Sequence, residues 1–146
     1  MSLLVIDASV AAKWSLKDET LIDAAVALLD RYGGREFQLV VPGLFWAECG
    51  NIFWNAMRRG RCTRDEAERS MAALKDLALA TVPTEALVEH AFKIAADFSR
   101  TVYDSIYVAL AVECRAELVT ADEKLANAIA AYLPVKWLGA PLNLKT

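Results

Sequence analysis

Five short apolar runs punctuate the chain: Leu3 to Ile6, Phe37 to Val41, Ala80 to Val82, Glu117 to Thr120 and Val135 to Leu138. Between them lie longer segments whose apolar residues recur at helical period. Alternation of strand-length runs with helical segments predicts a parallel sheet flanked by helices. The punctuation agrees. Gly33-Gly34 follows the segment from Glu19 to Tyr32, Pro42 precedes the next helix, Gly60 ends it, and Pro134 stops the last one. Thr63 with Glu66 has the spacing of a capping box and opens a helix expected to run to about Leu79. No internal repeat, low-complexity tract or linker interrupts the pattern, so residues 1–146 read as one domain.

The informative polar positions are acids. Asp7 closes the first apolar run, where Gly, Asn or Pro is commoner, and Asp122 follows the fourth in the same way. In open parallel sheets the ligand site lies beyond the carboxyl ends of the strands, at the point where connections diverge. If the first and fourth strands are neighbours, these two carboxylates converge. Glu48 lies within PGLFWAECGNIFWNAMRRG; at 100° per residue, Asn51, Asn55, Arg58 and Arg59 fall within about 80° of it and form one polar stripe. The remaining apolar arc, with Trp54 widening it, exceeds what one core-facing surface needs, which points to contact with another chain. Asp104 stands in the first turn of a helix that is almost wholly apolar from Ser105 to Cys114.

Each acid also has a purely structural reading. Thr101 with Asp104 and Thr120 with Glu123 are spaced as capping boxes, Asp122 suits a first helical turn, and Glu48 alone suits a solvated face. The coincidence of four acids, each at a strand end or on a helix that a doubly wound sheet gathers, favours a shared site. An oxygen-rich, histidine-free set of this kind is what hard cations such as Mg²⁺ or Mn²⁺ require. Such a centre suits phosphodiester hydrolysis, in which two ions about 3.5–4 Å apart activate a water and stabilise the leaving oxygen.

Composition narrows the setting. The 146 residues are 56% hydrophobic, above the ~45–50% of soluble chains, which again points to a partner or self-association. A net charge of −3 excludes a uniformly basic nucleic-acid coat but not a local basic rim. Cys49, Cys62 and Cys114 form neither a zinc pattern nor an even disulfide framework, so a reducing cytoplasm is the expected home. The first apolar run is too short for a signal peptide, and no run approaches the ~18 residues of a membrane span.

Taken in order, D-A-S at Asp7 to Ser9, E-C-G-N at Glu48 to Asn51, Y-D-S-I-Y-V-A-L-A at Tyr103 to Ala111 and V-T-A-D at Val119 to Asp122 closely resemble PIN-domain ribonucleases. The resemblance is strongest to the VapC-type toxins of toxin-antitoxin modules and covers nearly the whole chain. It implies a PIN-like three-layer α/β/α fold with a five-stranded parallel sheet of order 3-2-1-4-5. It implies a Mg²⁺- or Mn²⁺-dependent endoribonuclease, a homodimer, and inhibition by a small antitoxin. Asp7, Glu48, Asp104 and Asp122 match the family's acidic quartet, as catalytic and metal-holding residues. Ser9 and Thr120 match its hydroxyl positions, and Asn51 its asparagine one turn after the glutamate; such residues orient ligands from behind.

Other positions weigh less. Arg58, Arg59, Arg61 and Arg64 form a basic cluster suited to RNA phosphates or an acidic antitoxin segment, and equally to a solvated helix end. Lys13 can reach a phosphate but reads more readily as a surface residue, as does His90. Trp14, Trp46, Trp54 and Trp137 are core or interface anchors, Cys49 is a packing residue, and Asp18 and Asp97 are the next acids near a site. A phosphoacceptor domain or a D-x-D phosphatase leaves Glu48 and Asp104 unexplained. The serious alternative is a catalytically silent PIN-like module that binds RNA or an antitoxin.

Overall fold

The computed structural model describes residues 2–143. Strand β1 (Ser2–Ile6) leads through the short helix α1 (Ala8–Ala12) and α2 (Ile22–Gly33) to β2 (Phe37–Pro42). Helices α3 (Leu44–Arg58) and α4 (Arg64–Asp76) precede β3 (Ala80–Val82), and α5 (Val88–Phe98) and α6 (Val102–Glu113) precede β4 (Glu117–Thr120). Helix α7 (Glu123–Ile129) and β5 (Val135–Trp137) follow. All five strands are parallel in the order β3-β2-β1-β4-β5, as the resemblance implied.

Strand β1 is central because it is covered on both faces: Leu4, Val5 and Ile6 are all buried, without the alternation of a half-exposed strand. Its neighbour β4 repeats the pattern through Leu118, Val119 and Thr120. Helix α6 packs across β1, β2 and β4 and is buried without a break from Ser105 to Ala111, as its apolar composition requires. The phenylalanines Phe37, Phe45 and Phe53 anchor the core on the β2–α3 side.

Element ends are set by local chemistry. Thr63 and Glu66 form the full reciprocal capping box. Helix α3 stops at Arg58, and Gly60 turns the chain at φ 74°, where a side chain would be strained. Several boundaries differ from the periodicity. Helix α2 begins at Ile22, not Glu19, because Leu21 turns left-handed at φ 57°. Helix α4 ends at Asp76, not Leu79, because Ala78 takes φ 52° and aims Leu79 into the core. The last helix ends at Ile129, well before Pro134, so that proline opens β5 instead of stopping α7. Helix α1 is too short to show a period and was not anticipated.

Leu118 is fully buried on β4 between β1 and β5, so Leu118→Ala should destabilise the protein by about 2–5 kcal/mol. Urea unfolding followed by circular dichroism checks this.

Candidate active site

The order of the strands creates the site. From the centre, the chain leaves β1 toward β2 and β3, then returns to build β4 and β5 on the other side, which opens a crevice at the carboxyl ends of β1 and β4. Ile6 pairs with Val119, so the residues just beyond, Asp7 and Thr120, face one another. A cavity of about 410 Å³ at this edge is lined by Asp7, Ser9, Glu48, Asn51, Asp104 and Asp122, together with Tyr103 and Tyr107. All four acids singled out from the sequence meet there.

The cavity has a floor and a rim. Asp7 is 8% exposed, Glu48 and Asp104 are half-buried, and Asp122 is exposed. Asp7 stands at the N-cap of α1, yet its carboxylate makes no capping bond. It is held instead by two hydroxyls: Ser9 Oγ donates to Oδ1 and Thr120 Oγ1 donates to Oδ2. Each hydroxyl in turn accepts a backbone N–H from the turn after β4, Ala121 to Ser9 (3.1 Å) and Asp122 to Thr120 (3.0 Å). A hydroxyl has one proton to give, and those N–H donors leave both protons free for Asp7.

The other acids are anchored separately. Glu48, on α3, accepts a 2.5 Å hydrogen bond from the phenol of Tyr107 on α6. Asp104 lies 3.5 Å from the Arg100 guanidinium, while the cap of α6 is the Thr101 hydroxyl, which accepts from the Asp104 backbone at 3.0 Å. Asp122 does serve as a cap: its Oδ1 accepts from Leu125 N at 3.1 Å, so the structural reading of this acid holds for one oxygen. Glu123 is not the capping partner of Thr120, contrary to the expected box, because α7 starts one residue after Asp122.

Among the described residues, no group of three or more His, Cys, Asp or Glu side chains is disposed to hold a metal ion as it stands. The four acids share one cavity, each held by its own partner. Four anions facing one another repel, and each is drawn toward its own donor. The donor chemistry nevertheless fits a hard divalent cation: carboxylate oxygens predominate, and neither imidazole nor available thiolate competes. Burial pushes the Asp7 carboxyl up to about 6 against the lowering effect of its two hydroxyl donors, with a small further push from Glu48. Burial likewise raises Glu48, opposed by Tyr107 and reinforced by the charge of Asp104. Cys49, beside Glu48, is driven up to about 12 by burial and the charges of Glu48 and Asp7, and it packs as an inert thiol.

The secondary candidates divide. Asn51 lines the cavity one turn beyond Glu48. Arg58 lies over the half-exposed Trp54 ring, 4.8 Å from its centroid, and Arg59 is exposed. Arg61 pairs with Asp18 (2.7 Å) and Glu19 (2.7 Å), and Asp18 does not line the cavity. Lys13 is not the expected surface residue: it caps the C-terminus of α1, is 7% exposed and pairs with Glu19 at 3.4 Å. His90 is partly buried and pairs with Glu113 at 3.0 Å. Asp97 does not line the cavity. Sequence reasoning missed Tyr107 and Arg100, although Tyr107 stands three residues after Asp104 and so shares its helical face.

A PIN-domain family model matches residues 4–130. The chain belongs to the PIN-domain family. It is 32% identical over 126 residues to the ribonuclease VapC3 of Pyrobaculum aerophilum, covering 85% of this chain and 92% of that protein. The crystal structure of PAE2754 from Pyrobaculum aerophilum superposes with a TM-score of 0.66 at 22% identity, covering 87% of this chain and 79% of that one. A toxin-antitoxin complex from Klebsiella pneumoniae superposes with a TM-score of 0.64 at 16% identity, covering 91% of this chain and 95% of that one. These two solved structures share the fold of this PIN-domain protein.

Because the native state holds the Asp7 proton up to about pH 6 and the unfolded chain releases it near 3.8, stability falls as pH rises through that window. Asp7→Asn should therefore stabilise the metal-free protein by about 2–3 kcal/mol at pH 8 and by almost nothing at pH 3.5. Thermal melts in EDTA across that range check it.

Proposed function

We propose that this chain is the toxin of a toxin-antitoxin pair, an endoribonuclease that hydrolyses RNA phosphodiester bonds with Mg²⁺ or Mn²⁺, acting as one PIN domain. The observation that carries the reading is the shared cavity: four carboxylates from β1, α3, α6 and the β4–α7 turn line it, with the deepest clamped by two hydroxyls. The ribonuclease relatives and the toxin-antitoxin complex among the structural neighbours support it.

In this reading Asp7, Glu48, Asp104 and Asp122 hold the cation. When bound, it supplies a Lewis acid that lowers the pKa of an attacking water and offsets charge on the phosphodiester. Ser9 and Thr120 fix both oxygens of Asp7 in one orientation, so the ligand at the floor does not have to be ordered on binding. Asn51 offers an amide to the same space, on the Glu48 face. Arg58 and Arg59 remain as cations at the end of α3 for RNA phosphate or an acidic antitoxin segment. Arg61 and Lys13 are already paired with Asp18 and Glu19.

Exposed apolar side chains support a protein partner and a homodimer. Trp54 is 49% exposed, Phe92 65% and Tyr132 76%, and the α3–α4 groove of about 310 Å³ is lined by Phe53, Trp54, Met57 and Met71. No helix among the described residues is long and apolar enough to cross a membrane.

Purified protein freed of any partner is expected to cleave single-stranded RNA with Mg²⁺ or Mn²⁺ and to stop in EDTA. Asp7→Ala should lower the rate about a hundredfold or more while the protein stays folded. Uncut RNA across a broad panel, with both metals, would identify a silent binding module instead. Sedimentation of the isolated chain should give twice the 16.0 kDa chain mass if it is a homodimer.

A further inference from the structure

Glu48 differs from the other three acids in how it is fixed. Asp7 is clamped by neighbours in its own crevice, Asp104 sits beside Arg100 in the loop just before its own helix, and Asp122 bonds to its own helix. Glu48 projects from the second turn of α3 on a longer side chain with more torsions to restrict. Its sole recorded partner among the described residues is the Tyr107 phenol, 59 positions away in sequence, 2.5 Å from Oε1. Tyr107 is 3% exposed and belongs to the continuously buried stretch of α6, so its ring is held by the core and its hydroxyl is delivered at a fixed point. A carboxylate can only accept here, which makes the phenol the donor. One oxygen of Glu48 is thereby taken, and Oε2 is left without a donor for whatever enters the cavity.

We propose that Tyr107 is a positioning residue for the metal-dependent reaction, anchoring Glu48 Oε1 so that Oε2 is presented to the cation in a single rotamer. This rests on the cation-holding role assigned to Glu48 above and adds a residue on another helix to it. The rigid helix α6 thus serves the site twice, through Asp104 in its first turn and through Tyr107 one turn later. Outer-sphere hydrogen bonds of this kind are worth about 10–100-fold in metal affinity or activity.

The test is Mn²⁺ titration by calorimetry on the intact protein and on Tyr107→Phe, Glu48→Gln and the double variant, with thermal melts as fold controls. Tyr107→Phe removes one oxygen and keeps the buried ring. It should weaken Mn²⁺ binding about tenfold, while adding it to Glu48→Gln should weaken binding no further, since the two changes disable one unit. Crystals of metal-free Tyr107→Phe should show Glu48 in more than one rotamer. Equal Mn²⁺ affinity of Tyr107→Phe and wild type, effects that add in the double variant, or an unmoved single Glu48 rotamer would each overturn the role. Wild type that binds no Mn²⁺ would overturn it together with the metal site, whereas wild type that binds while Tyr107→Phe binds equally would remove this role alone. If Tyr107→Phe unfolds, Tyr107→Met, which fills the buried site and has no donor for the Glu48 carboxylate, decides in the same titration: retained wild-type affinity overturns the proposal, and a tenfold loss in folded protein supports it.

Discussion

A carboxylate taken out of water at the end of the central strand must be met by donors, and much of this architecture is arranged around that requirement. Asp7 has its two oxygens occupied by the hydroxyls of Ser9 and Thr120, and those hydroxyls are aimed by backbone N–H groups of Ala121 and Asp122. The clamp closes only if β1 and β4 lie side by side in the observed register, since Thr120 reaches Asp7 across that pair. Strand pairing and site assembly are therefore one event. The hydrogen bonds do not fully offset burial, as the raised Asp7 carboxyl attests.

The remaining acids extend this floor toward solvent. Burial decreases from Asp7 through Glu48 and Asp104 to Asp122, so the anionic character becomes less costly toward the mouth. Separate anchors keep the four groups from relieving their repulsion by turning away altogether. This leaves a cavity with concentrated negative charge that no Lys or Arg lines among the described residues, Arg100 lying beside Asp104 at its edge. In the proposed reading, a divalent cation would offset repulsion among the carboxylates that the fold already tolerates.

The periphery is organised differently. The loop between α1 and α2 is tied to the end of α3 by Arg61 with Asp18 and Glu19, and Lys13 adds a buried contact to Glu19. The exposed apolar residues lie on other surfaces, away from the clamp, except Tyr103, which lines the cavity.

The sequence by itself determined the alternation of strands and helices, the capping box at Thr63, the break at Gly60 and the identity of the four acids, because each depends on residues close together along the chain. Helix ends at Leu21 and Ala78 escaped it, since left-handed turns at ordinary residues are imposed by packing. Only the tertiary structure decided what each acid bonds to. Asp7 spares its cap position and Asp122 does not, Tyr107 reaches Glu48 across 59 residues, and Lys13 and Arg61 are claimed by the loop after α1. Those outcomes follow from the competition of hydrogen-bond donors for buried charge, which spacing along a chain does not encode.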